Sequence, residues 1–337
     1  MTKVAILGGS GYTAVELIKI LLRHPHAHIE AVTSRQEGTP AVSELHPSLL
    51  GRIDIKCEPF DPDALKRRGV ACAFGCLPHG VSAESVKPLL ECGIRVVDLS
   101  ADYRLRDPKV FAAYYGEPPH DIANLARAVY GLPEIYGDRL AGADLVANPG
   151  CYPQTAILGL APLVANGLIE LTGIIVNSCS GVSGAGRTPK LATHFPECNE
   201  SVSAYSVGKH RHTPEIEQTL GDVAGEPVEV LFVPHLVPMD RGIFSTLYAT
   251  PTKPVTEADL TALYREYYVK DPFVRVRDTL PATKDSAHTN FLDVCVKVVR
   301  GKVVVLASED NLVRGASGVA VQNFNRMFGY EETAGLL

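Results

Sequence analysis

The stretch that decides the fold lies at the start of the chain and reads Val4-Ala5-Ile6-Leu7-Gly8-Gly9-Ser10-Gly11-Tyr12-Thr13-Ala14. The four apolar residues predict a short buried strand, and apolar residues recur at helical spacing from Val15 to Leu22. The glycines fit the G-x-G-x-x-G/A pattern, in which the backbone approaches a pyrophosphate and the helix N-terminus supplies amide donors. A tight turn without a ligand is the alternative. We therefore predict that the cofactor-binding residues are Gly8, Gly9, Ser10, Gly11, Tyr12 and Thr13.

Strands and helices alternate through the rest of the first half. The expected strands are Ile29–Thr33, Val70–Phe74, Ile94–Leu99 and Leu145–Ala147, and a helix is expected over Ala83–Leu90. Because parallel strands need helical crossovers between them, this alternation predicts an α/β domain with a Rossmann-type parallel sheet.

The second half has longer strands with fewer helices between them. They are expected over Ile174–Ser178, Val228–Val233, Gly242–Ala249, Leu292–Lys297 and Val303–Ser308. This pattern of long strands with few intervening helices predicts an α+β domain built on a largely antiparallel sheet. A last helix is expected from Ala316 to about Met327. We expect residues 1–150 plus about 311–337 to form the dinucleotide-binding domain, and 151–310 to form a catalytic, substrate-binding and oligomerisation domain.

Composition excludes several function classes. The chain has 337 residues, 46% hydrophobic and 21% charged, which indicates a globular protein. Its formal net charge of −6 argues against binding to nucleic acid or to a membrane surface, because both need a basic face. No apolar run reaches the roughly 18 residues of a membrane span, and the start of the chain does not have the pattern of a signal peptide. The eight cysteines include no CxxC pair, so neither a disulfide framework nor a metal site is expected.

The second predicted strand ends in Thr33-Ser34-Arg35. An enzyme that uses NAD usually carries an acidic residue at this place to hold the ribose hydroxyls, whereas hydroxyls and an arginine suit a 2′-phosphate. We therefore expect Ser34 and Arg35 to select NADP(H). A solvated surface role is the alternative for Arg35.

Cys151 is the cysteine that the sequence singles out. It follows Asn148-Pro149-Gly150 and precedes Pro153, which suits the first turn of a helix with 155–163 as its body. A helix N-terminus favours the thiolate, and its amides can stabilise an oxyanion. We expect Cys151 to be a nucleophile and the other seven thiols to be inert. A buried, inert thiol is the alternative for Cys151.

A second titratable cluster lies in Lys209-His210-Arg211-His212-Thr213-Pro214-Glu215. Thr213 and Pro214 are predicted as the cap and first residue of a helix. Either His210 or His212 can be the acid/base, with a slight preference for His210, and Glu215 would orient the ring. A pair of solvated histidines is the alternative.

Two further segments suit ligand binding. Ser180, Gly181 and Gly184 follow a predicted strand in a stretch of small residues, where the backbone can approach an anion or cofactor closely. Arg104 follows another strand and would lie at the carboxyl edge of the sheet, where ligands bind in such folds. A flexible loop and a surface ion pair are the respective alternatives.

Taken together, these motifs resemble the N-acetyl-γ-glutamyl-phosphate reductase family of arginine biosynthesis, which is related to aspartate-semialdehyde dehydrogenase. The resemblance runs nearly from end to end and rests on segments 8–13, 98–104, 148–153, 180–187, 210–216, 234–242 and 311–315. The most specific are Asn-Pro-Gly-Cys-Tyr-Pro and His-Arg-His-Thr-Pro-Glu-Ile. Ala14 stands where the family commonly has glycine.

The resemblance implies an NADPH-dependent oxidoreductase that reduces a small-molecule γ-acyl phosphate to its semialdehyde through a thioester and a thiohemiacetal on Cys151. It implies that Arg104 binds the departing phosphate, that Asn148 contributes to the substrate site and that Asn311 binds the nicotinamide amide. A cytoplasmic homo-oligomer, dimer or tetramer, is the expected setting.

Two alternatives compete with this interpretation. The first is the homologous reductase of a carrier-protein-linked 2-aminoadipate 6-phosphate in lysine biosynthesis, which uses the same chemistry on a tethered substrate. The second is a non-catalytic NADP-binding sensor, against which the presence of Cys151 with a histidine pair argues.

Overall fold

The computed structural model describes every residue from Met1 to Leu337. The chain forms two compact units. Unit 1 comprises Met1–Pro149 and Ala316–Leu337, and unit 2 comprises Gly150–Gly315. None of the helices combines the length and apolar character that crossing a lipid bilayer requires.

The chain contains thirteen strands and thirteen α-helices. The strands are β1 (Thr2–Leu7), β2 (Ala27–Thr33), β3 (Cys72–Gly75), β4 (Arg95–Asp98), β5 (Val129–Tyr130), β6 (Leu145–Ala147), β7 (Ile174–Ser180), β8 (Ser203–Ala204), β9 (Val230–Leu236), β10 (Ile243–Ala249), β11 (Val274–Val276), β12 (Leu292–Val299) and β13 (Lys302–Glu309). The helices are α1 (Tyr12–Leu21), α2 (Val42–Leu45), α3 (Pro62–Arg67), α4 (Ser82–Glu91), α5 (Pro108–Tyr115), α6 (Ile122–Leu125), α7 (Pro133–Leu140), α8 (Cys151–Ala165), α9 (Phe195–Cys198), α10 (Thr213–Ala224), α11 (Glu257–Tyr267), α12 (Thr283–Ser286) and α13 (Gly318–Phe328).

Unit 1 contains a six-stranded sheet in the order β2-β1-β3-β4-β6-β5, and every pairing in it is parallel. Its inner strands are continuous apolar runs because both faces of a parallel sheet are covered. The strand order reverses between β1 and β3, the kind of switch point where such sheets bind ligands. The predicted Rossmann-type sheet is confirmed.

Unit 2 contains a seven-stranded sheet in the order β11-β12-β13-β10-β7-β9-β8. Four of its six pairings are antiparallel, whereas β11 with β12 and β7 with β9 pair in parallel. The second domain is therefore largely antiparallel, as predicted, but its sheet is mixed.

Helix α8 lies at the centre of unit 2. Every residue of this helix except Cys151 and Ala165 is buried. Gly159 allows the close contact with the sheet, because a Cβ at this position would lie 2.4 Å from Leu247 Cδ1. On another side, the Tyr264 and Tyr268 hydroxyls donate to the carbonyls of Gly159 and Leu158.

Two local predictions were wrong in detail. His212, not Thr213, is the N-cap of α10, and Thr213 is already the first helical residue. The helix expected from Ala316 begins instead at Gly318, after a π-helical turn over Val313–Ser317. Such turns insert one residue into the helical repeat and occur often at functional sites.

Candidate active site

In the glycine turn of unit 1, the backbone lies close to its neighbours on one side and is open at Gly11. Gly8 has φ +82°, and a Cβ there would lie 2.6 Å from Cys76 O. A Cβ at Gly9 would lie 2.4 Å from Val32 Cγ1. At Gly11, the N-cap of α1, a Cβ would meet only Thr13 Oγ1 at 3.8 Å, and no side chain caps the helix. This uncapped, open helix start fits a dinucleotide pyrophosphate.

Ser34 and Arg35 follow β2 at the same edge of the sheet. The Ser34 hydroxyl accepts a hydrogen bond from the Gln36 backbone N–H at 3.1 Å. Arg35 is 75% exposed and lies 3.7 Å from Glu84, so solvent screens this ion pair and leaves the guanidinium accessible.

Arg104 and Asn148 are both buried and follow the neighbouring strands β4 and β6. Arg104 Nε donates to Asn148 O at 2.8 Å, and its Nη2 donates to Leu99 O at 2.9 Å. The Asn148 side chain donates to Ala316 O and accepts from Asn323. Both residues therefore hold the backbone at the carboxyl edge of the sheet.

Cys151 is the first residue of α8 and is partly exposed. The preceding residue, Gly150, is the N-cap, and its N–H donates to Glu215 Oε1 at 2.7 Å. Glu215 lies in the first turn of α10 and is buried. This carboxylate therefore joins the starts of two helices and fixes the turn that presents the thiol.

The two predicted histidines pack together beside the residue that follows the cysteine. The ring centroids of His210 and His212 are 4.8 Å apart, and each ring lies within 6 Å of the Tyr152 ring. His210 also packs edge-on against Tyr205 at 5.5 Å and Phe232 at 5.1 Å. Unit 2 thus brings all the predicted catalytic residues together.

The two histidines have different surroundings. His210 Nδ1 accepts a hydrogen bond from the His212 backbone N–H at 3.1 Å. Burial, together with the nearby charge of Arg211, lowers the pKa of His210 to about 4. At neutral pH, His210 is therefore an uncharged ring that carries its hydrogen on Nε2.

Two tyrosines of this cluster were not predicted. The Tyr205 hydroxyl donates to the Tyr152 hydroxyl at 3.0 Å, and the latter donates to His235 O at 3.3 Å. Burial raises the pKa of Tyr205 to about 12, although its hydrogen bond to Tyr152 opposes the shift. Tyr152 could have been inferred from its place beside Cys151, but no local signal marks Tyr205.

A buried acid next to the cysteine was also missed. A Cβ at Gly315 would lie 2.8 Å from Cys151 Cβ and 2.9 Å from Glu309 Oε1. Only glycine leaves room for both groups, which explains its place in the π-helical turn. Glu309 ends β13, far from Cys151 in sequence, and is fully buried.

The small-residue loop after β7 packs tightly within unit 2. A Cβ at Gly181 would lie 2.4 Å from Asp240 O, and one at Gly184 would lie 3.0 Å from Ser180 Oγ. The loop itself forms a 3-10 turn over Val182–Ala185. Close backbone packing therefore accounts for the small residues, and a cofactor role for them stays a prediction.

Asn311 is held by the same part of unit 2. Its Oδ1 accepts from the Gly242 N–H at 2.7 Å, and its Nδ2 donates to Ser183 Oγ at 3.0 Å. These bonds fix the side chain amide, and its predicted contact with the nicotinamide stays a prediction.

Burial keeps most of the other thiols protonated. It raises the pKa of Cys57, Cys179 and Cys295, raises that of Cys76 to about 12, and raises that of Cys72 further. These thiols are protonated at neutral pH and are poor nucleophiles.

Two family models match the chain. Residues 3–143 match the semialdehyde dehydrogenase NAD binding domain, and residues 151–311 match the semialdehyde dehydrogenase dimerisation domain. Unit 2 thus contains a domain of a type known for dimerisation.

Curated relatives match over the whole chain. The N-acetyl-gamma-glutamyl-phosphate reductase of Rhodopirellula baltica is 49% identical over 340 residues, 99% of this chain and 98% of the relative. The protein of the same name from Desulforudis audaxviator is 49% identical over 342 residues, 100% of this chain and 98% of the relative.

Solved structures share the fold at low sequence identity. Aspartate semialdehyde dehydrogenase II from Vibrio cholerae superposes with a TM-score of 0.71 at 16% identity, covering 96% of this chain and 97% of that one. The aspartate semialdehyde dehydrogenase of Francisella tularensis gives 0.69 at 13% identity, covering 96% and 99%. The chain belongs to the semialdehyde dehydrogenase family, in the branch of the N-acetyl-γ-glutamyl-phosphate reductases.

Proposed function

We propose that the chain reduces N-acetyl-γ-glutamyl phosphate to N-acetylglutamate semialdehyde and phosphate with NADPH. The observation that carries this proposal is the arrangement in unit 2, where Cys151 begins a buried helix and a histidine pair packs beside it. Unit 1 is proposed to bind NADP(H) through its glycine turn, Ser34 and Arg35. The match of full-length reductases at 49% identity supports the choice of substrate.

In the first step of the proposed reaction, Cys151 is the nucleophile. The Cys151 thiolate attacks the acyl carbon, the carbon–sulfur bond forms, and the bond to the phosphate oxygen breaks, so that inorganic phosphate leaves. The dipole and the backbone amides at the start of α8 stabilise the oxyanion of this step. Arg104 and Asn148 are proposed to form the phosphate and substrate site, and Asn311 with Ser180, Gly181 and Gly184 to line the nicotinamide end of the cofactor site.

When bound, NADPH supplies a hydride that reduces the thioester. The oxyanion formed on the substrate takes a proton to give a thiohemiacetal. It then loses that proton as the carbon–sulfur bond breaks, which releases the aldehyde and restores the thiolate. We propose that His212, rather than His210, moves this proton. A proton added to His210 Nδ1 would displace its bond from the His212 N–H, and the low pKa of His210 opposes protonation.

We further propose that unit 2 forms a dimer or a tetramer through the face of its sheet. Leu231, Ile175 and Tyr248 stand directly opposite one another on three neighbouring strands and are 54%, 39% and 41% exposed. An exposed apolar row of this kind indicates an interface. All eight cysteines are free thiols, which suits the proposed cytoplasmic setting because the reaction needs reduced Cys151.

Cys151→Ser is expected to abolish the phosphate-dependent reduction of NADP⁺ by N-acetylglutamate semialdehyde, because serine is a far weaker nucleophile at neutral pH. The cofactor residues are untouched, so NADPH affinity measured by fluorescence is expected to stay unchanged. Cys92→Ser, at a partly exposed thiol of unit 1, is the control and is expected to keep full activity. Full turnover by the Cys151 variant would refute the covalent mechanism. A carrier-linked 2-aminoadipate semialdehyde in the same assay tests the alternative substrate.

His212→Asn is expected to lower kcat by about a hundredfold or more, the usual contribution of a positioned acid/base. His210→Asn is expected to cost much less, because an amide oxygen can still accept the His212 N–H. Steady-state kcat and KM for both variants provide the test. A larger loss of kcat in the His210 variant would reverse the assignment.

Arg35→Ala is expected to raise KM for NADPH by about tenfold or more while changing KM for NADH little, since only NADPH carries the 2′-phosphate. Arg52→Ala removes another exposed arginine of unit 1 and serves as the matched control. Equal losses for both cofactors would contradict a 2′-phosphate contact at Arg35.

Leu231→Glu is expected to shift the protein toward monomers in sedimentation velocity, because burying an unpaired carboxylate in an apolar interface is costly. Val269→Glu changes a residue that is 75% exposed, follows α11 and does not belong to the apolar row, and it is expected to leave the oligomer intact. An unchanged oligomer in the Leu231 variant would place the interface elsewhere.

A further inference from the structure

A buried histidine contacts the glycine turn from a distant part of unit 1. His46 Nε2 lies 2.7 Å from the carbonyl oxygen of Gly9, although the two residues are 37 positions apart. Because a carbonyl oxygen only accepts hydrogen bonds, the imidazole must carry a hydrogen on Nε2 and donate it. Neither the sequence motifs nor the proposed chemistry explains this contact.

The contact fixes a peptide plane of the turn. The chain has no cis peptide bond, so the Gly9 carbonyl and the Ser10 N–H point in opposite directions. When His46 holds the carbonyl on one side, the Ser10 N–H is directed to the other. The preceding amides point elsewhere, because the N–H groups of Gly8 and Gly9 both donate to Thr33 O, at 3.2 and 2.9 Å.

The segment that carries His46 is built to hold the ring in place. His46 lies between α2 and a 3-10 turn over Pro47–Leu49, and Val42 and Leu49 on either side are fully buried. The His46 N–H donates to Val42 O and the His46 carbonyl accepts from the Leu49 N–H, each at 2.9 Å. Pro47 further restricts the backbone of His46. The backbone of His46 is therefore fixed by hydrogen bonds on both sides, and its ring is buried.

We propose that His46 is a positioning residue for the cofactor: by holding the Gly9 carbonyl, it aims the Ser10 amide at the pyrophosphate of NADP(H). This inference rests on the proposed NADP(H) site of unit 1. It assigns the orientation of the turn to a side chain outside the glycine motif. The 2′-phosphate and the adenosine are not affected by this bond, because Ser34 and Arg35 are proposed to bind that end.

The test compares two ligands that both carry the 2′-phosphate, of which only NADP⁺ has a pyrophosphate. NADP⁺ and adenosine 2′-monophosphate are titrated by calorimetry into the wild-type chain and into His46→Ala, His46→Gln and His24→Ala. His24 is the matched control, because it is another buried histidine of unit 1 and its Nε2 bonds Asn325 instead. Thermal unfolding of each variant accompanies the titrations.

His46→Ala is expected to bind NADP⁺ about five- to tenfold more weakly, the effect of losing one buried hydrogen bond, and adenosine 2′-monophosphate with unchanged affinity. His46→Gln is expected to recover most of the loss, since its amide nitrogen can donate from nearly the same place. His24→Ala is expected to bind both ligands like the wild type.

Unchanged NADP⁺ affinity in His46→Ala, or an equal loss for both ligands, would overturn the positioning role while leaving the proposed function intact. An equally large loss of NADP⁺ affinity in His24→Ala would also overturn it, because a general destabilisation of unit 1 would then be the cause. Failure of the wild-type chain to bind NADP⁺ would overturn the proposed function and this inference with it.

Discussion

The burial of helix α8 is the constraint on which the site of unit 2 depends. The helix is apolar on every side, so it must be covered by the sheet through Gly159 and by Tyr264 of α11 and Tyr268 directly after it. Neighbouring groups therefore cover the helix along its length. Its first residue is partly exposed and lies beside backbone amides that have no partner within the helix. That residue is Cys151. The Glu215 carboxylate then fixes the preceding peptide, so the position of the thiol follows from packing and one hydrogen bond.

The glycine turns at Gly9 in unit 1 and Gly150 in unit 2 are held in the same way. In unit 2, Glu215 accepts from the Gly150 N–H, and in unit 1, His46 donates to the Gly9 carbonyl. In each case, a buried side chain from a distant segment holds a peptide group of a glycine. Glycine gives a turn the conformations that close approach requires, but it also leaves the backbone free to move. A buried hydrogen bond removes that freedom without adding a side chain where the ligand must come close.

The sequence predicted the parallel sheet of unit 1 and five of its six strands, because buried parallel strands are continuous apolar runs. It did not predict the two-residue edge strand β5 or the order of the strands. It predicted Cys151, His210, His212 and Glu215 as one group because they lie in two short motifs, and the structure brings these motifs together. Contacts between distant segments were not predictable in this way. Tyr205, Glu309 and His46 carry no local pattern and reach their places only through tertiary packing. The cap of α10 and the π-helical turn differed by one or two residues, where helix ends are decided by hydrogen bonds that composition does not encode.

Position, not residue type, distinguishes Cys151 among the eight cysteines. Cys72 lies inside the parallel sheet and Cys76 directly after it, and burial keeps both protonated. Cys295 lies inside the second sheet and is held in the same state. A strand interior offers a thiolate no compensating amides, because its backbone groups are used in the ladder. A helix start offers several, since its first amides have no partner within the helix. Only Cys151 begins a helix among these residues. The backbone environment that keeps the other thiols protonated is therefore absent at Cys151, which is why we propose this thiol as the nucleophile.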